Sequence, residues 1–181
     1  MNIYQRWCIK KAKIKLRRLL PYLDKKSKIL DIGCGNGALA LLLKKSGFQI
    51  ETIDIKNKSA FDEIKPKISD GTNLPYTDKY FETAIMITML HHTSDPETLI
   101  NEAKRVAKKL IIIEDIYTNV FQKYLTFAAD SINNLEFIGH PHSNKNDTEW
   151  KILFKKNNLT IETSEYYQFL IFFKQVTYIL Y

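Results

Sequence analysis

Apolar residues recur along the chain at two periods, and the switches between them lay out alternating strands and helices. Cys8, Ala12, Leu16, Leu19 and Leu23 make one stripe at helical spacing, so residues 2–20 are expected as a helix ending near Pro21. Arg6, Lys10, Lys13 and Arg17 run alongside it, and Ile3, Trp7 and Ile14 fall on a further side. Residues 29–32 then read as a short strand, 38–45 as a helix with Gly47 as its cap, and 49–55 as a second strand. A short helical piece is expected at 59–64, a third strand at 67–69 and a fourth at 82–88. Asp95-Pro96-Glu97 starts a helix that runs to about Lys108, with Asp95 as cap and proline in the first turn. The run "LIIIE" at 110–114 is apolar enough for a strand buried on both faces. Residues 119–135 are helical in pattern, and Asn146-Asp-Thr-Glu149 resembles a capping box ahead of Trp150, Leu153 and Phe154. Two closing strands, near 158–166 and 169–180, are joined too tightly for a helical crossover and should pair as an antiparallel hairpin.

Such alternation implies an α/β fold with a parallel sheet and helices on both faces. With 181 residues the chain is expected to be a single domain, 1–181, with 1–25 an N-terminal basic helix serving as lid or cover. Its two cysteines, Cys8 and Cys34, form no CxxC and no disulfide framework, which suits a reducing, cytoplasmic setting. No run reaches the length of a membrane span, and no signal-peptide pattern follows the basic start.

The net charge of +7 is unevenly placed. Residues 1–28 hold ten Lys/Arg against one acid, Asp24, whereas the remainder holds 17 against 19. The basic character therefore belongs to one segment, and the rest of the domain does not read as a nucleic-acid binder. That segment reads either as a covering helix with a solvated basic edge, or as a substrate lid or a contact for an anionic membrane surface or nucleic acid.

Three of the six glycines fall within five residues of "KILDIGCGNGALA" (28–40), where Gly33, Gly35 and Ala38 satisfy the nucleotide-binding spacing G-x-G-x-x-G/A. Asp54 ends the second strand about twenty residues later, suited to ribose hydroxyls, and Asp70 ends the third. Three carboxylates, Asp31, Asp54 and Asp70, are thus expected at one pocket edge. Asp31 decides between cofactors. A dinucleotide's pyrophosphate beside it would be repelled, whereas the sulfonium and ammonium of S-adenosylmethionine gain from it, and that molecule's carboxylate can use the loop's N–H groups.

The same stretch resembles motif I of the class I S-adenosylmethionine-dependent methyltransferases, close to "VLDIGCGTG". Downstream, Asp70, Leu74-Pro75-Tyr76, Phe81-Glu82 and Leu90-His91-His92 stand where that family often shows an acid, "LPF", "FD" and "LHH". The resemblance covers residues 28–115, with small-molecule and quinone-type methyltransferases the nearest subgroup. It implies a seven-stranded doubly wound sheet, order 3-2-1-4-5-7-6, with strand 7 antiparallel. It also implies a cofactor site: Asp31 orienting the methionine end, Gly33, Cys34, Gly35 and Gly37 beneath it, and Asp54 on the ribose. Asp70 and the Gly71 N–H would meet the adenine, with Thr88, Met89 and Leu90 lining the pocket.

Methyl transfer leaves S-adenosylhomocysteine as product and needs a base only when the acceptor must lose a proton. His91 or His92 is the candidate for it. His140 and His142 sit in a polar loop without a third metal ligand, so they and Trp7 are candidates for substrate contact rather than for metal. The rival readings are an NAD-dependent oxidoreductase, which shares the glycine spacing and Asp54, a non-catalytic binding module, and a nucleic-acid methyltransferase. The last lacks here both an Asn/Asp-Pro-Pro-aromatic tetrapeptide and a Pro-Cys dipeptide. The acceptor and the oligomeric state are not legible.

Overall fold

A computed structural model describes residues 1–117, 145–169 and 173–181 of the chain, with the side chains of 169 and 173 left aside. The helix expected at 119–135, together with His140 and His142, lies outside the described residues. In chain order the elements are α1 (Ile3–Leu19), β1 (Lys28–Ile32), α2 (Ala38–Lys45), β2 (Gln49–Asp54), β3 (Lys67–Ile68) and β4 (Phe81–Ile87). After these come α3 (Pro96–Val106), β5 (Ala107–Ile116), α4 (Asp147–Lys156), β6 (Ile161–Phe169) and β7 (Phe173–Leu180).

The seven strands form one sheet in the order β3-β2-β1-β4-β5-β7-β6, as the resemblance implied. β1 to β5 run parallel, and β7 is antiparallel to both β5 and β6. The sheet's two faces separate into two cores. On one, Cys8, Ala12 and Leu19 of α1 and the leucines of α2 cover Ile29, Ile85, Ile111 and Ile179. On the other, α3 together with Trp150 and Phe154 of α4 covers Leu30, Ile53, Met86, Leu110 and Ile112. Successive residues of β5, Ile111 and Ile112, thus enter opposite cores, which is why its run is apolar without alternation.

Several boundaries differ from expectation for local reasons. The piece at 59–64 is no helix: Ser59 N–H donates to Asn57 Oδ1 and Phe61 N–H to Ser59 Oγ, bonds that compete with helical ones, and Pro66 follows. α3 stops at Val106, not Lys108, because Ala107 already pairs with Phe81 of β4. The Lys79 ammonium takes up the carbonyls of Lys104 and Ala107 at that junction. β4 ends at Ile87 because Thr88 adopts a left-handed backbone with φ 51°. The capping box at Asn146 and Glu149 is present, and a second one, not anticipated, joins Asn2 and Gln5 at the start of α1. No helix among the described residues is long and apolar enough to cross a membrane.

Candidate functional site

The carboxyl ends of β1, β2 and β4 converge where the strand order reverses, the place where open α/β sheets bind ligands. The glycine loop between β1 and α2 is drawn onto β2 by two bonds. Gly33 N–H donates to the Ile53 carbonyl at 2.8 Å, and Gly35 N–H donates to Asp54 Oδ2 at 2.8 Å. Gly33, at φ +71°, has no room for a side chain, since a Cβ there would lie 2.8 Å from Cε and 3.0 Å from Cγ of Met89. Gly35, at φ +53°, faces open space instead, with nothing within 4 Å of where its Cβ would stand. The loop thus packs on Met89 at one glycine and forms an open cradle at the other.

Asp31, in β1 just ahead of the loop, is 2% exposed, with Oδ2 lacking any hydrogen-bond partner. Burial pushes its carboxyl up to about 7, with nearby Asp54 adding to the rise and Lys15 opposing it. A buried carboxylate oxygen without a donor is costly unless a ligand supplies one. Cys34 beside it is half-buried, and burial with Asp31 and Asp54 raises its thiol, so it stays protonated and serves as filler, not nucleophile.

Asp70, past the end of β3, differs from the buried Asp31 in its surroundings. It is exposed, and its Oδ1 accepts from both the N–H and the hydroxyl of Thr72, which hold it below the usual carboxylate range. The Gly71 N–H donates to Ser69 Oγ.

Two residues that the sequence reading passed over organise the far wall. Glu114, fully buried at the end of β5, accepts from the N–H groups of Met89 and Leu90 through Oε1, at 2.9 and 2.8 Å. Its Oε2 lies 2.6 Å from Nδ1 of His91. His91 is itself buried, so it fastens the loop after β4 rather than facing the pocket as a free base, and His92 is the half-buried member of the pair. Lys15 of α1 reaches across to donate to Thr88 Oγ1 at 2.7 Å. Desolvation lowers its ammonium, while Asp115 and Glu114 pull the other way. Both had a signal: Glu114 is the one acid in a strand expected to be buried on both faces, and Lys15 falls on the helical stripe of Cys8, Ala12 and Leu19.

On α1, Lys15 turns toward the site while Lys10, Lys11 and Lys13 are exposed. Trp7 is 43% exposed and stacked on Tyr4, with Lys11 Nζ 3.9 Å from its ring centre. Trp7, the candidate for substrate contact, lies on the outer side of α1, because Cys8, Ala12 and Leu19 seat the opposite side against the sheet. Among the described residues no group of three His, Cys, Asp or Glu is placed to hold a metal ion.

A family model described as "Methyltransferase domain" matches residues 4–164, taking in α1, the glycine loop and the walls just described. The chain belongs to the class I S-adenosylmethionine-dependent methyltransferases. It is 30% identical over 98 residues to a demethylmenaquinone methyltransferase of Thermotoga maritima, an alignment that takes in 48% of this chain and 43% of that one. The chain thus spans less than half the length of this relative. In fold it resembles a SAM-dependent methyltransferase of Methanosarcina mazei, with TM-score 0.70 and 20% identity over 90% of this chain and 95% of that one. It also resembles the [4+2]-cyclase SpnF, with TM-score 0.71 and 14% identity over 95% and 79%. A shared fold with a cyclase leaves the reaction to be argued from the site.

Proposed function

We propose that this chain binds S-adenosylmethionine in the cradle over Gly35 and transfers its methyl group to a small-molecule acceptor of quinone-like or related aromatic type. The observation that carries the cofactor assignment is the buried, donor-less Oδ2 of Asp31. An amino-acid ammonium supplies the donor it lacks, whereas the pyrophosphate of NAD would bring a second anion to the same place. In this reading Asp31 orients the methionine end, and the Gly33–Gly37 loop lies beneath it. Asp54 bonds the ribose hydroxyls while holding the Gly35 N–H. Asp70 and Gly71 meet the adenine, and Thr88, Met89 and Leu90 form the wall that Glu114 keeps in place.

The bound cofactor supplies an already activated methyl on a sulfonium, so the protein's task is alignment and exclusion of water. His92 is the candidate base for an acceptor that must lose a proton, because His91 is engaged by Glu114. The acceptor class is supported by the Thermotoga relative, whose own name specifies a quinone precursor. The test is thermal melting with S-adenosylhomocysteine and with NADH, followed by methyl transfer to a panel of hydroxylated aromatics and quinols. A rise in melting temperature with the first ligand alone is expected. A rise with NADH alone would overturn the assignment.

A further inference from the structure

The inner side of α1 is fully committed. Cys8, Ala12 and Leu19 are buried, Gln5 Nε2 donates to the Ala60 carbonyl, and Lys15 donates to Thr88. Arg18 donates from Nε and Nη2 to Thr177 Oγ1 and from Nη1 to Gln175. These ties fix the helix's rotation and so fix what it shows to the outside. On the outer side lie Ile3 at 87% exposure, Tyr4 at 55%, Ile14 at 54% and Trp7. Positions 3, 4, 7 and 14 fall on one strip of a helix, and Arg6, Lys10, Lys13 and Arg17, all exposed, flank it. No acid occurs anywhere in α1.

We propose that this outer face of α1 seats on an anionic lipid bilayer, with the Ile3–Trp7–Ile14 strip sunk to the headgroup level and the flanking cations on the lipid phosphates. A helix with this cross-section lies in the membrane interface, and tryptophan and tyrosine prefer that depth. An RNA backbone would use the cations but gain nothing from two exposed isoleucines. A second copy of the chain would bring a like-charged helix onto this one. A bilayer with anionic headgroups uses the apolar strip and its basic border together.

The chain carries its own reporter. Trp150 is fully buried in the core, so a change in tryptophan emission on adding vesicles reports Trp7. The full chain is titrated with vesicles of phosphatidylcholine alone and of phosphatidylcholine mixed with phosphatidylglycerol. A blue shift on the mixed vesicles only, lost in Trp7→Phe, is expected. Partitioning should fall by about tenfold or more in Lys10→Glu/Lys13→Glu, and similarly in Ile3→Gln/Ile14→Gln. All these positions are exposed, and unchanged circular dichroism and Trp150 emission establish that each variant is folded. The proposal is overturned by no shift on the mixed vesicles or by an equal shift on phosphatidylcholine alone. It is also overturned by a shift with RNA but not vesicles, or by one that grows with protein concentration in lipid-free buffer.

Discussion

Cofactor affinity should depend on pH through one group, Asp31. Its carboxyl moves from an ordinary 3.8 to about 7 in the folded chain. At about 1.4 kcal/mol per unit, folding favours the protonated form by about 4 kcal/mol. The folded state then holds a proton that the unfolded chain has released between pH 4 and 7. This group's contribution to stability therefore falls as pH rises through that window and levels off above about 7. A ligand ammonium binds the carboxylate form, so binding must expel the proton. Below about 7, affinity for S-adenosylhomocysteine should rise about tenfold per pH unit and then flatten, leaving binding at pH 5 about a hundredfold weaker than at pH 8. Calorimetry across this range, in two buffers of different ionisation enthalpy, measures both the affinity and the proton released. Asp31→Asn should bind weakly with a flat profile and, without ligand, should melt at higher temperature than the parent at pH 8. Lys15→Met should move the break upward, since the Lys15 charge holds Asp31 down. A profile that is flat in the parent protein, with no proton released, would refute the reasoning.

The loop offers a matched pair of substitutions. Gly33→Ala should destabilise by about 2 kcal/mol, from left-handed backbone and the contact with Met89, and lower the melting temperature by several degrees. Gly35→Ala meets no protein atom, so it should cost about 1 kcal/mol in stability yet weaken S-adenosylhomocysteine binding further than Gly33→Ala does. Asp54→Ala should cut that affinity at least about tenfold, since charge-assisted bonds contribute roughly 1.5–3 kcal/mol each. Asp54→Asn, which keeps an acceptor for the Gly35 N–H, separates loop support from ribose binding in the same titration. Glu114→Ala deprives Met89 N–H, Leu90 N–H and His91 of a shared acceptor and should cost about 3–5 kcal/mol in urea unfolding. A loss below that of Gly33→Ala would mean the wall is held by other contacts.

Legibility followed the range of the physical cause. Strand alternation, the glycine cluster and the Asn146 capping box are local patterns, and each led to an element in its expected place. The sheet order, with β7 between β5 and β6, came through the family resemblance rather than through periodicity. The features that the local pattern does not carry lie where a distant partner decides. Lys15 drew no reading from the sequence, because its acceptor is Thr88, far along the chain. His91 and His92 are alike as candidate bases by sequence, and it is Glu114, 23 residues on, that holds His91. Trp7 is a candidate for substrate contact by sequence, and the seating of Cys8 and Ala12 turns it outward. Asp70 shares its strand-end position with Asp54, but Thr72 supplies its donors whereas the glycine loop supplies those of Asp54.

The placement of β7 between β5 and β6 governs the order in which the domain can assemble. β6 touches the sheet only through β7, so a ribosome that has released β6 has released a strand with nowhere to pair. α1 waits as well, because Arg18 closes on Thr177, 159 residues further on. The Arg18 contacts of α1 and the β6–β7 hairpin therefore settle together, as contacts of such sequence separation are slow to form. Before then α1 can rest on Ile29 and the leucines of α2, which lie next in the chain, and its final rotation is fixed last.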